Sequence, residues 1–328
     1  MKHELRFGTK TKQLLRSFFG SYLLIVLVVI IILGRIVSPY FLTFRNVQNV
    51  LTFAAVVSVI SVGQFFVIVT GGIDLSVGSI AALSTVVAAV MMKNGCPAGA
   101  ASLAAFAAAA AAGSISGLLV VYAGIAPFIA TLAMMSIARG TAYLIQVGSL
   151  ISITDRNFIW FFSGKLGPVP NPVILFILIM FIAAFFMRFT TFGRRLYAIG
   201  GNPEAARLSG LPVNRCVFSV YMLSGLLSGA GGVILAAQLT QGSSLLASGY
   251  ELDTVAAVVV GGASLSGGTG NPIGAVVGGL IIAILCNIMN LLTIPSEPQM
   301  IVKGILIIVA VMFIGKKGLK EVHSVTEK

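Results

Sequence analysis

Long apolar runs alternate with short clusters of Gly, Pro, Asn and charge along nearly the whole chain. Crossing a bilayer takes about 20 mostly apolar residues for roughly 30 Å of hydrocarbon. Runs near 21–38, 47–70, 76–92, 98–122 and 125–146 meet that pattern, as do 171–188, 216–239, 252–263, 272–292 and 300–315. The eighth is short for a straight span, and Gly261-Gly262 beside it leaves its boundary open. The pattern predicts an all-α integral membrane protein of about ten transmembrane helices, interrupted by Gly-rich segments, with the transmembrane body over 21–315.

One polar stretch is much longer than a turn between spans requires. Residues 194–215, RRLYAIGGNPEAARLSGLPVNR, form a basic island that fills most of the loop 189–215. Within it, Asn202 suits a helix cap, Pro203 the first helical position, and Glu204 the positive end of the helix. Ala205, Ala206, Arg207 and Leu208 continue the helix, Gly210 can end it in the left-handed conformation, and Pro212 stops it. About two turns are not stable alone. The helix therefore packs either on the protein's own span ends or on a soluble partner.

Charge orients the runs. Lys2, Arg6, Lys10, Lys12 and Arg16 precede the first run, Arg188, Arg194, Arg195, Arg207 and Arg215 bracket the island, and Lys316, Lys317, Lys320 and Lys328 end the chain. With ten spans these regions share one side, which the positive-inside rule makes cytoplasmic. The tails 1–20 and 316–328 are then cytoplasmic, and the protein is expected to be multi-pass with both ends inside. The first run lacks a small-residue cleavage site after it, so it reads as a span rather than a signal peptide.

Composition narrows the function classes. The chain is 58% hydrophobic and only 9% charged, against about 25% charged residues in soluble domains. Its net charge of +12 lies in tails and loops rather than on one soluble face, which argues against nucleic acid. Cys96, Cys216 and Cys286 are far apart, and His3 and His323 lie in the tails, so no metal site is expected.

A Gly-rich string occurs twice. Gly71-Gly72-Ile73-Asp74-Leu75-Ser76-Val77-Gly78 and Gly261-Gly262-Ala263-Ser264-Leu265-Ser266-Gly267-Gly268 both fit GGxxLSxG. Repeated breaks at related places mark internally duplicated transporters, in which unwound backbone lines the solute path. Gly71, Gly72, Asp74 and Ser76, with Gly261, Gly262, Ser264 and Ser266, are the candidate path residues. On the span count both copies fall on the cytoplasmic side, which fits a parallel repeat. Asp74, the only acid between Glu4 and Asp155, carries two readings: a cap for the third span, or a direct role in solute passage or gating.

Other features have simpler expectations. Gly113-x-x-x-Gly117, Gly225-x-x-x-Gly229 and Gly274-x-x-x-Gly278 predict close helix packing within the subunit. Arg139 and Lys303 are expected to snorkel to an interface. The stretch 147–170, with Asp155, Phe158 and Trp160, reads as an amphipathic segment on the outer face or as a ledge for an external binding protein.

The string Glu204-Ala205-Ala206-x-x-x-Gly210 resembles the EAA loop of ATP-binding-cassette importer permeases, and GGIDLSVGS at 71–79 resembles a hallmark of the sugar-permease family that includes the ribose permease. Together the likeness runs from about 40 to 315. It implies that the island supplies a coupling helix seated in a groove of a cytoplasmic ATPase, with Asn202, Pro203, Glu204, Ala205, Ala206, Arg207 and Gly210 at the contact. It also implies an extracytoplasmic sugar-binding protein, a second copy of the permease, and alternating access driven by ATP and magnesium held in the partner; the chain itself is expected to bind no cofactor. No GxxxxGK[ST] string is present, so energy has to come from such a partner. An ion-coupled carrier or channel for a small neutral solute is the alternative, but it needs several membrane acids, and an enzyme needs a nucleophile, acid–base pair or metal. Uncharged polar linings suit a neutral, hydroxyl-rich solute such as a monosaccharide.

Overall fold

The computed structural model describes residues 21–306 together with 308, 309 and 312. The basic tails 1–20 and 316–328 and the end of the tenth run lie outside the described residues. The helices are α1 (Ser21–Val37), α2 (Phe44–Val69), α3 (Val77–Lys93), α4 (Ala98–Val121), α5 (Pro127–Gln146), α6 (Arg156–Ser163), α7 (Asn171–Phe189), α8 (Thr191–Gly201), α9 (Pro203–Leu208), α10 (Val213–Leu239), α11 (Tyr250–Val260) and α12 (Pro272–Leu291). A further helix, α13, runs over 296–306. Six of these, α2, α4, α5, α7, α10 and α12, are long and apolar enough to cross a membrane; α1 and α3 are apolar but shorter.

α2 and α10 form the centre. From Ala54 to Val69 α2 is continuously buried, so it has no lipid face of its own. α10 lies against α2, α3 and α4, and α12 packs on α2 and α11. By contrast α1, α5 and α7 expose rows of large apolar side chains, including Ile25, Leu144 and Phe181. That inversion, small and polar residues inside with large apolar ones outside, is what a bilayer solvent permits.

Glycines set the helix separations at the centre. Gly113 of α4 and Gly225 of α10 face each other so closely that a Cβ on either would strike the other's backbone. Gly274 and Gly278 of α12 meet Gly261 and Ala257 in the same way. These seams lie within the subunit, as their spacing predicts.

Two short antiparallel ladders tie the end of the bundle opposite the island. Ile151 and Ser152 (β1) pair with Gly242 and Gln241 (β4), and Lys165 and Leu166 (β2) pair with Pro170 and Val169 (β3). Between them α6 is capped by Asp155, whose side chain accepts from the Phe158 N–H at 2.9 Å, and it buries Phe158 while exposing Trp160 and Phe161. The same end is pinned to α2 by Lys165 Nζ donating to Gln48 Oε1 (2.7 Å) and Gln48 Nε2 donating to the Pro168 carbonyl (2.6 Å).

Gly225→Val should therefore cost about 2–3 kcal/mol by overpacking and lower the yield of monodisperse protein extracted from membranes. Gly99→Ala, where a methyl meets open space, should leave that yield unchanged.

Candidate functional site

The two Gly-rich strings and the basic island meet at one end of the bundle. α2 ends at Val69, and the Gly268 N–H of the second string donates to the Val69 carbonyl at 2.9 Å. Gly200 of α8 lies directly over both groups, where a side chain could not fit. Tyr197, one turn earlier on α8, donates from its hydroxyl to the Gly270 carbonyl at 2.8 Å. Burial raises the Tyr197 pKa above the usual phenol range, so it stays a donor across physiological pH. The end of α2 and the loop after α11 are thus joined by main chain, and the island is tied to that loop by the Tyr197 side chain.

The strings share a local design. Asp74 Oδ1 accepts from the Ser76 N–H (2.9 Å), and Ser264 Oγ accepts from the Ser266 N–H (3.2 Å), so equivalent positions make equivalent turns. They then diverge. The first enters α3 at once, whereas the second continues as a loop to Asn271, whose side chain caps α12 by accepting from Ile273 N–H at 2.9 Å.

Asp74 is fully buried, and each carboxylate oxygen has a partner. Oδ1 also accepts from Ser76 Oγ (2.5 Å), and Oδ2 accepts from Ser224 Oγ of α10 (2.8 Å). With its amide oxygen facing the Asp74 N–H, Gln64 accepts from that group (3.2 Å) and donates to the Asp74 carbonyl (3.0 Å). Thr131 Oγ1 of α5 donates to the Ile73 carbonyl at 3.2 Å. The helix cap itself is Ser76, so Asp74 acts two residues upstream of the position its cap reading requires. Because Gln64 precedes Val69 by five residues, the chain climbs back about 8 Å along α2 before α3 begins.

The island contains two helices where the sequence pattern predicts one. α8 buries Leu196 and Ile199 in the cluster around Phe65 and Val69, and Ala206 of α9 joins them. On α9, Asn202 Oδ1 accepts from the Ala205 N–H at 2.9 Å, Pro203 follows it, and Gly210 has φ +77°. Asn202, Pro203, Glu204, Ala205, Arg207 and Gly210 are exposed, as is Leu208 at 82%. The two packing alternatives are therefore two faces of one element, one against the protein's own span ends and one open.

Two expectations are corrected. Lys303 does not snorkel: its Nζ pairs with the buried Asp253 carboxylate at 2.8 Å and ties α13 to α11. Arg139 turns inward as well, donating from Nη1 to the carbonyls of Ser244 (2.5 Å) and Leu246 (2.9 Å). In each case a nearby acceptor outcompetes the interface. Among candidate path residues, Gly71 and Ser266 reach the surface, Gly72, Asp74 and Ser76 are buried, and Gly261, Gly262 and Ser264 are half-buried. Ser224 and Tyr221, whose hydroxyl is buried against Gly72, escape sequence reasoning because what they meet is distant in the chain.

A family of permease components of branched-chain amino acid transport systems matches residues 46–311. The chain is 41% identical over 298 residues to the ribose import permease protein RbsC of Escherichia coli K12, covering 90% of this chain and 93% of that one. It is 42% identical over 308 residues to RbsC of Bacillus subtilis 168, covering 93% and 94%. The D-allose transport system permease protein AlsC of Escherichia coli K12 is 35% identical over 294 residues, covering 89% and 90%. No solved structure matches the chain.

Asp74→Ala leaves the buried donors of Ser76 and Ser224 without an acceptor and should cost about 3 kcal/mol, with a clear drop in folded yield. Asp74→Asn keeps an oxygen for Ser76 and should retain yield. Normal yield with abolished uptake in both variants would assign Asp74 to solute passage instead of to the fold.

Proposed function

The chain belongs to the family of transport-system permease components, and from that membership we propose that it carries ribose or a closely similar monosaccharide inward by alternating access. It is the membrane permease subunit of an ATP-binding-cassette sugar importer and not an enzyme. Such a permease operates with an ATPase and a substrate-binding partner in the inner membrane.

The finer assignment is ours. Ten spans over 21–315 put both tails, 1–20 and 316–328, in the cytoplasm, with the loop 189–215 on the same side. Two copies of the permease surround a shared path and bear lipid on their outer faces. ATP and magnesium are held by the partner ATPase, and this chain holds no cofactor. Selection of the sugar rests largely with the external binding protein, since the candidate path residues offer hydroxyls and main-chain amides, and their one carboxylate, Asp74, is buried and taken up by Ser76 and Ser224.

One observation carries the coupling proposal: α9 presents Glu204, Arg207 and Leu208 to solvent from a base locked by Gly200, Gly268 and Val69. A push on an exposed tip with so rigid a root reaches the Gly-rich turns directly. Glu204 and Arg207, 3.7 Å apart, form an exposed pair that adds little to stability and leaves both groups free to meet a partner. Leu208→Glu should weaken co-purification of the ATPase at least about tenfold, as expected when an exposed apolar anchor of an interface is lost. Folded permease yield should be unaffected. Unchanged co-purification and uptake in Leu208→Glu, Glu204→Ala and Gly210→Val would remove α9 from the contact.

A further inference from the structure

The connector between α10 and α11, residues 240–249, enters the bundle from the end opposite the island and follows α3 inward. Ser243 is held to Thr85, its N–H donating to Thr85 Oγ1 (3.1 Å) and its carbonyl accepting from the same hydroxyl (3.2 Å). Seven residues nearer the start of α3, Gly78 lies against the Ala247 carbonyl and the Glu251 carboxylate. The connector thus runs about 10 Å along α3 without regular structure. Non-helical main chain at this depth is tolerated where it is buried in protein or lines a water-filled path.

The connector is both strained and clamped. Thr240 (φ +51°) and Ala247 (φ +55°) hold left-handed backbone despite their side chains, a strained conformation that collects at switch regions. α5 clamps the middle: Gln146 Oε1 accepts from the Ser244 N–H (2.7 Å), and Arg139 Nη1 donates to the Ser244 and Leu246 carbonyls. Glu251 Oε1 accepts from Gly249 N–H (3.2 Å), while Glu251 Oε2 and Ser244 Oγ are buried with no hydrogen-bond partner among the described residues. Ser244, whose N–H and carbonyl both bond to α5, is fully buried in this arrangement.

We propose that the 240–249 connector is a gate of the solute path, and that Arg139 is the positioning residue that latches it to α5 in the arrangement seen here. The latch works because one guanidinium satisfies two carbonyls that have no ladder partner. When α5 and α10 shift, both bonds break together and the connector relaxes its left-handed residues. The proposal rests on the permease reading, which ATP-dependent uptake by the parent complex checks first.

The test uses the permease–ATPase complex in lipid nanodiscs, with Cys96→Ser, Cys216→Ala, Cys286→Ala and a single Ser244→Cys, a position fully buried in the latched arrangement, as the reporter. A polar maleimide is the probe, with labelling rates measured without nucleotide and after trapping with ATP and vanadate. With Arg139 present, the two states should label at rates differing at least about fivefold, because a charged donor holding two carbonyls resists opening. Arg139→Gln should label at one fast rate in both states and lose most uptake, and Arg139→Lys should restore part of the difference. If Arg139→Gln fails to assemble, Thr85→Val, which loosens Ser243 instead, should raise the nucleotide-free rate. Equal rates in the two states with Arg139 in place would overturn the proposal, as would Arg139→Gln transporting at the parent rate.

Discussion

Main-chain polar groups buried away from water must find partners inside the protein, and the architecture follows from how three non-helical segments meet that demand. The turn after α2 uses Gln64, Asp74 and Thr131. The connector after α10 uses Thr85, Gln146 and Arg139. The loop after α11 uses Val69 and Tyr197. Each helix break is thus stitched to helices remote in sequence, so the breaks hold the bundle together instead of weakening it.

Small residues make the stitching possible. Where α4 meets α10 and where α8 meets the end of α2, the absence of side chains lets backbone approach backbone. Polar side chains of ordinary length then span what remains. The same closeness gives the island mechanical reach: Leu196, Ile199 and Ala206 share one buried cluster with Phe65 and Tyr221, so a force on α9 passes through packed atoms to the Asp74 turn. Tyr221 lies in that cluster with its hydroxyl against Gly72, next to the residues that fix the start of α3.

The charged residues inside the bundle fall into two groups by what they hold. Asp74 and the Asp253–Lys303 pair are met by side chains, the first joining the turn after α2 to α10 and the second joining α11 to α13. Arg139 is met by carbonyls of an irregular segment and joins helix to connector. A helix-to-helix tie is broken only by moving a rigid body, whereas a tie to a connector can open locally, and that distinction sets Arg139 apart from the Asp253–Lys303 pair.

The sequence by itself determined the apolar runs, and their bounds fall within a few residues of the helices: 98–122 against Ala98–Val121, and 171–188 against Asn171–Phe189. It also determined the cap, proline and glycine of α9 and the duplicated turn, because these signals act over two to four residues and are written locally. Only the tertiary structure decided that α8 precedes α9 as a second packed helix, that Lys303 pairs with Asp253, and that Arg139 holds the connector. Those outcomes join residues 50 or more positions apart, such as Arg139 with Ser244, and no periodicity or motif encodes which distant acceptor will come within reach. A lone cation in an apolar run shows that a partner or an interface is needed; the packing of helices around it selects which.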